Sequence, residues 1–186
     1  MRIISGDFRG KKINQPKDIK TRPLKDLTKE SIFNIISHSN KIKINLKNSN
    51  VLDLFSGVGS FGIECLSRGT RYVTFVENYN GVLNILKKNL INLKDVDNYE
   101  IIEKDINNNF FSNISSSYDI IFLDPPYKDK NLSTILKNII TNKNLSENGI
   151  IIIHRHKNED DLLPDNLNII EKKIYGLSKI TFLSSN

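Results

Sequence analysis

"NVLDLFSGVGSFG" (residues 50–62) decides how this chain is built. Asn50 to Phe55 carry the apolar content of a buried strand. Glycines follow at 57, 59 and 62, and the residues through about Arg68 read as a helix. A strand that turns on glycines straight into a helix opens a βαβ unit, and the chain downstream repeats the alternation. "RYVTFVE" (71–77) is a second strand and "NGVLNILKKNLINL" (80–93) an amphipathic helix. "YEIIEKD" (99–105) and "YDIIFLD" (118–124) are strands three and four. "LSTILKNIIT" is a helix and "GIIIIH" (149–154) strand five. The last runs, split by a turn near Gly176, read as an antiparallel hairpin. The expected fold is α/β and Rossmann-like: a mostly parallel, doubly wound seven-stranded sheet with a terminal antiparallel hairpin.

The glycines satisfy G-x-G-x-x-G, and Glu77 ends the next strand 20 residues after Gly57. That spacing suits a nucleotide cofactor, with backbone approaching closely and an acid for ribose hydroxyls. Asp53, however, stands at the end of strand one, where a pyrophosphate would otherwise approach, and two anions at short range repel. S-adenosylmethionine, with an ammonium, a sulfonium, a ribose and no phosphate, fits better. The cofactor set is therefore Asp53, Phe55, Gly57, Gly59, Gly62 and Glu77, with Asp105 or the Ile106 backbone at the adenine end. Capping of a helix is the competing reading of Asp105.

Strand four ends in "FLDPPY" (122–127). Prolines cannot continue a sheet interior, so the strand stops there, beside strand one at the point where strand order reverses. Asp124 then opens onto the crevice of the glycine loop. An exocyclic amine on a base is a poor nucleophile because its lone pair is delocalised. A carboxylate and a proline carbonyl could accept its two hydrogens and turn the lone pair toward a methyl carbon. Tyr127 offers a face for stacking a flipped base. Asp124, Pro125, Pro126 and Tyr127 are the expected catalytic constellation, acting by positioning and electrostatics.

The first 49 residues differ in kind. They hold 12 Lys/Arg against 4 Asp/Glu, whereas residues 50–186 hold 15 against 17, within a total of +6. The asymmetry points to an anionic partner engaged from a basic N-terminal extension (1–49) joined to a catalytic domain (50–186); an Asn-, Ile- and Lys-rich composition is the competing explanation. "RIISGDFRGKKI" has the alternation of a short β-hairpin. "TRPLKDLTKESIFNIIS" contains a helix with Asp26 as N-cap and Ile32, Ile35 and Ile36 on its apolar face, and "NKIKINLKNSN" reads as a polar linker. One cysteine, Cys65, excludes a disulfide framework and a thiolate cluster and reads as a small buried residue. With no apolar leader or spanning run, a soluble, cytoplasmic monomer without metal is expected.

The motifs "RIISGDFRGKKI", "TRPLKDLTKESIFNII", "VLDLFSGVGSFGIECLSRG", "FLDPPY" and "YGLSKITFL" resemble, in order and spacing, the RsmD family of bacterial 16S rRNA (guanine-N2)-methyltransferases. The resemblance runs from Arg2 to Leu183. It implies methylation of a guanine N2 in the small ribosomal subunit or a late assembly intermediate, with Arg9, Lys11, Lys12 and Arg22 contacting phosphates. Two departures stand out. Leu24 occupies a position where the family usually has threonine, and strand five ends in "IIHRH" where it usually carries an acid, so His154 and His156 read as solvated rim histidines. From the residues alone, two other readings stay open: an adenine-N6 methyltransferase acting on DNA or RNA, and a non-catalytic rRNA-binding assembly protein.

Overall fold

In the computed structural model, which describes residues 1–16, 24–106, 109–114, 116–126 and 129–185, the opening stretch lies at the centre of the sheet. The elements run α1 (Asp26–His38), β1 (Asn50–Leu54), α2 (Ser60–Ser67), β2 (Tyr72–Val76) and α3 (Asn80–Ile91). They continue with β3 (Tyr99–Ile102), β4 (Tyr118–Leu123), α4 (Leu132–Thr141), β5 (Leu145–His156), β6 (Leu167–Tyr175) and β7 (Ser178–Ser185). Strand order is β3-β2-β1-β4-β5-β7-β6. The first five are parallel, and β7 lies antiparallel to both β5 and β6. The seven-stranded mixed sheet is the one expected.

The continuous apolar runs follow from burial on both faces. Val51, Phe75, Ile120 and Ile152 point into one cluster with Phe33 of α1, Phe61 of α2 and Leu86 of α3. Leu52, Leu54, Ile121, Leu123 and Ile151 point the other way, against Leu136 and Ile139 of α4. Among the described residues, no helix is long and apolar enough to cross a membrane.

Four local expectations change. β3 stops at Ile102, not 105, because among the described residues its one partner is β2 and their pairing ends at Val76↔Ile102. β5 reaches His156 because β7 pairs with it as far as His156↔Ser178. The stretch read as a polar linker buries Ile42 and packs Ile44 and Leu46 against the core. Asp26 is also not an N-cap. It is the first residue of α1, where its Oδ1 accepts from the Arg2 amide (3.4 Å) and lies 4.0 Å from Lys29 Nζ.

The N-terminal residues are bolted to α2. Arg2 and Lys12 form an antiparallel bridge, which bears out the short hairpin. Glu64, fully buried in α2, accepts from the amides of Ile4 (2.8 Å) and Ser5 (3.0 Å) and from Arg68 Nε (2.9 Å). Lys29, also fully buried, sits 3.4 Å from Glu64 and donates to the Arg2 carbonyl at 2.8 Å. Burial pushes the Lys29 ammonium below its ordinary value, against the pull of Glu64 and Asp26. Removing one partner of such a pair leaves a buried charge and costs about 3–5 kcal/mol. Gly6 completes the joint. Its φ is +84°, and a Cβ there would lie 1.7 Å from the Ser67 carbonyl oxygen, so only glycine fits. Four aligned groups, Arg68, Phe33, Phe61 and Phe122, then stack from this joint toward the C-terminal edge of the sheet.

Candidate active site

At that edge a cleft of about 520 Å³ opens where β1 and β4 part to opposite neighbours. Phe61 and Phe122, stacked with centroids 4.1 Å apart, belong to its lining. So does Leu24, which is buried.

The glycine loop forms one wall, and its three glycines are there for different reasons. Gly57 has φ +56°, and a Cβ on it would meet nothing within 4 Å, so its backbone is bare toward the cleft. Gly59 combines φ +82° with a Cβ position 2.4 Å from Leu86. Gly62 has no room because a Cβ would lie 2.3 Å from the Phe75 ring, which brings α2 down onto β2. Phe55 also takes a left-handed conformation (φ +58°), carrying the chain out of β1. Asn89 of α3 holds the loop from behind, donating to the carbonyls of Val58 (3.0 Å) and Asn14 (3.1 Å).

Asp53, Glu77 and Asp124 meet at this cleft. Asp53 is buried; its Oδ2 accepts from the Gly62 amide (2.9 Å), while Oδ1 is buried without a partner among the described residues. Burial above all, and then the charges of Asp124 and Glu77, push this carboxyl up to about 8, against the pull of the Gly62 N–H. Glu77 is held by three amides: Gly57 to Oε2 (2.7 Å), and Asn78 (2.9 Å) and Tyr79 (2.8 Å) to Oε1. Its oxygens keep lone pairs for further donors. Asp105 is exposed, three residues past the end of β3, and accepts from Asn78 Nδ2 (3.1 Å). Ile106, half-buried, packs on the α4-side cluster.

Asp124 follows β4. One oxygen, Oδ1, lies 2.9 Å from Nδ1 of His154, and among the described residues Oδ2 has no partner. The two prolines differ. The Pro126 carbonyl is taken, by the Asp129 amide (2.8 Å) and by Arg155 Nη1 (3.0 Å). Among the described residues the Pro125 carbonyl accepts nothing, so it is the available one. Tyr127 and Arg22 lie outside the described residues.

Strand five supplies what the sequence reading missed. His154 is not a solvated rim residue: it is 5% exposed and joined to Asp124 and to Ser178 Oγ, each at 2.9 Å. Burial works against its charge, but the Asp124 carboxylate prevails and holds the imidazole above its ordinary value. Arg155, 2% exposed and on the opposite face, grips the carbonyls of Pro126 and Asp129 and pairs with Asp161 (3.1 Å). The signal was in the strand lengths. Leu123 and Ile153 are paired, so the next residues of two parallel neighbours, Asp124 and His154, must stand side by side. His156 is half-buried, and its Nδ1 accepts from the Asn158 amide (3.3 Å). Cys65 is fully buried, its thiol pushed well up by burial.

The basic candidates lie on the N-terminal hairpin. Arg9, Lys11 and Lys12 are exposed. Lys11 is partly committed, over the Phe8 ring at 4.6 Å and 3.3 Å from the Asn92 carbonyl.

Among the described residues, the cleft wall carries five carboxylates (Asp53, Glu77, Asp105, Asp124, Asp129) and one basic side chain, His154. A pyrophosphate is therefore a poor guest. A ligand with a positive end meets the orphaned Asp53 Oδ1, so the donor set fits S-adenosylmethionine.

A family model described as conserved hypothetical protein 95 matches residues 1–184. The chain is 32% identical to YlbH of Bacillus subtilis, described as a "putative rRNA methyltransferase", over 97% of this chain and 96% of that one. It is also 32% identical to ribosomal RNA small subunit methyltransferase D of Buchnera aphidicola subsp. Acyrthosiphon pisum, over 92% and 86%. A solved structure from Escherichia coli, provisionally called methyltransferase yhhF, superposes with a TM-score of 0.83 at 25% identity. It covers all of this chain and 97% of its own.

Proposed function

We propose that this chain, which belongs to the conserved hypothetical protein 95 (RsmD) family of methyltransferases, transfers a methyl group to the exocyclic N2 amine of a guanine in 16S rRNA of the small ribosomal subunit. One observation carries the reading. Among the described residues, a buried, unpartnered carboxylate oxygen on Asp53 and two unengaged acceptors, Asp124 Oδ2 and the Pro125 carbonyl, face one cleft. The first suits a cationic cofactor tail, the second a planar NH₂.

Bound there, S-adenosylmethionine supplies an electrophilic methyl carbon on a sulfonium. Asp53 would hold the ammonium end, the bare backbone at Gly57 admits close approach, Glu77 accepts from ribose hydroxyls, and Asp105 with Ile106 borders the adenine. Asp124 Oδ2 and the Pro125 carbonyl each accept one amine hydrogen, which directs the nitrogen lone pair across the cleft. Tyr127, next in the chain, is the platform for the base in this reading. Catalysis comes from alignment and from anionic acceptors placed before the reaction begins.

The RNA would lie over the N-terminal hairpin, with Arg9 and Lys12 on phosphates and Lys11 in a smaller share; Arg22 is assigned to phosphates as well. The substrate is a 30S subunit or a late assembly intermediate, met in the cytoplasm by a monomer. Neutralising Arg9 and Lys12 together is expected to weaken RNA binding and reduce the slope of log K against log salt by about 1.5. Filter binding between low and moderate salt measures it, and an unchanged slope removes both contacts.

Incubating 30S subunits, naked 16S rRNA and duplex DNA with methyl-labelled cofactor tests the assignment as a whole. Label should enter 16S rRNA in the subunit. Label confined to DNA adenine would favour the adenine-N6 alternative, and no label with intact cofactor binding the assembly-protein alternative.

A further inference from the structure

Asp124 is asked to do something its surroundings oppose. It is half-buried at a strand end, and it shares the cleft with Glu77 and with buried Asp53, whose proton its charge helps to retain. Left alone, the carboxylate would swing toward solvent, where water solvates its charge. A buried ring stands against it instead. Asp124 and His154 follow the last paired residues of β4 and β5, and Nδ1 meets Oδ1 at 2.9 Å. The other ring nitrogen is fixed as well. β7 sets Ile180 opposite His154, so Ser178, two residues away on the same face, reaches Nε2 at 2.9 Å.

We propose that His154 is the positioning residue for Asp124: its Nδ1–H holds Oδ1, locks the carboxylate rotamer and leaves Oδ2 as the one oxygen turned to the substrate amine. This rests on the reading of Asp124 as the amine acceptor. Ser178 makes the arrangement tolerant of charge. Its hydroxyl donates to Nε2 of the neutral ring and accepts from Nε2–H of the protonated one, so Nδ1 remains a donor in both states. The groups facing the ring are Asp124 from the end of β4 and Ser178 from β7. On its own strand, Arg155 turns to the opposite face and is occupied by Asp161 and two carbonyls. Among the described residues Asp124 supplies the charge that keeps the ring protonated to higher pH than usual; the positioning bond outlasts that titration because Ser178 serves either state of Nε2.

The test compares His154→Ala, His154→Asn and His154→Gln in the full chain on the methyl-acceptor RNA. It is paired with calorimetric binding of S-adenosylhomocysteine, melting curves, and ¹⁵N spectra of histidine-labelled protein. The alanine variant should lose about 10–100-fold in kcat while cofactor-product affinity stays within about twofold, the usual cost of loosening an orienting partner. Asparagine, whose Nδ2 can stand where Nδ1 stood, should return most of the rate; glutamine, one bond longer, should not. In the wild-type spectra His154 should be an Nδ1–H tautomer that titrates above the ordinary histidine value, and Asp124→Ala should bring that titration down. A wild-type rate in His154→Ala, alongside an inactive Asp124→Ala, overturns this inference alone, as does equal loss in the asparagine and alanine variants when both remain folded. A wild-type rate in Asp124→Ala overturns the reading beneath it.

Discussion

Asp124→Ala should lower kcat by at least about 10²–10³-fold while S-adenosylhomocysteine binds nearly as before. Losing one aligned electrostatic partner in a shielded site costs on that order. Affinity survives because the cofactor is assigned to Asp53, Glu77 and the glycine loop, and removing the Asp124 charge also relieves Asp53 of a repulsive neighbour. The sharper variant is Asp124→Asn. Its amide can present an oxygen to the cleft only if its NH₂ turns to His154, which must then offer a lone pair at Nδ1 and carry its proton on Nε2. Ser178 can accept that proton, so the asparagine variant should fall between wild type and alanine. Single-turnover rates with labelled cofactor resolve all three. Equal rates for wild type and alanine would remove Asp124 from the chemistry.

The second large effect concerns Asp53. With its carboxyl pushed up to about 8, the ligand-free protein holds a proton there at neutral pH. A cationic ligand draws the ionised form, so binding should release nearly one proton per site, about 0.9, at pH 7 and essentially none above about pH 9. Titrations in two buffers of different ionisation heat measure the count directly. Asp53→Asn should abolish the release and weaken binding by about 2 kcal/mol or more, since a buried charge pair loses one member. The same residue has a signature in stability. Between its ordinary value of 3.8 and about 8 the native state keeps a proton that the unfolded chain has lost. Wild-type stability therefore falls as pH rises through that window, at up to about 1.4 kcal/mol per pH unit, and is flat above it. The asparagine variant should lack this slope, and matching slopes would show that Asp53 is not a protonated buried acid.

What could be read from the sequence follows the range of the interactions involved. Apolar runs of period-independent burial, punctuated by glycines and by the Pro-Pro pair, specify the parallel sheet, because both faces of each strand must be covered whichever helices do it. The helix at 132–141 and the turn at Gly176 fell where local propensity put them. The acids at the ends of β1, β2 and β4 were legible for the same reason: one strand edge collects them all.

Most of the misses are long-range. Lys29 and Glu64 drew no reading from the sequence, yet each is fully buried, and the hairpin brings backbone amides and a carbonyl to them. Nothing local distinguishes such a lysine from its solvated neighbours. Asp26 was one residue inside the helix rather than at its cap, a shift that local signals do not settle. His154 was read by type, as a polar residue at a rim, when its position relative to β4 was the deciding fact. Pro126 and Pro125 are indistinguishable in the motif; only Arg155 and the Asp129 amide, arriving from elsewhere, occupy one carbonyl and leave the other.

Mass spectrometry of nucleosides from 16S rRNA tests the central claim most directly, comparing subunits that lack the modification before and after incubation with this protein and S-adenosylmethionine. The account predicts one new N2-methylguanosine per subunit, absent with Asp124→Ala. Methyl groups on adenine, or no new methylated nucleoside in rRNA while the cofactor binds, would contradict it.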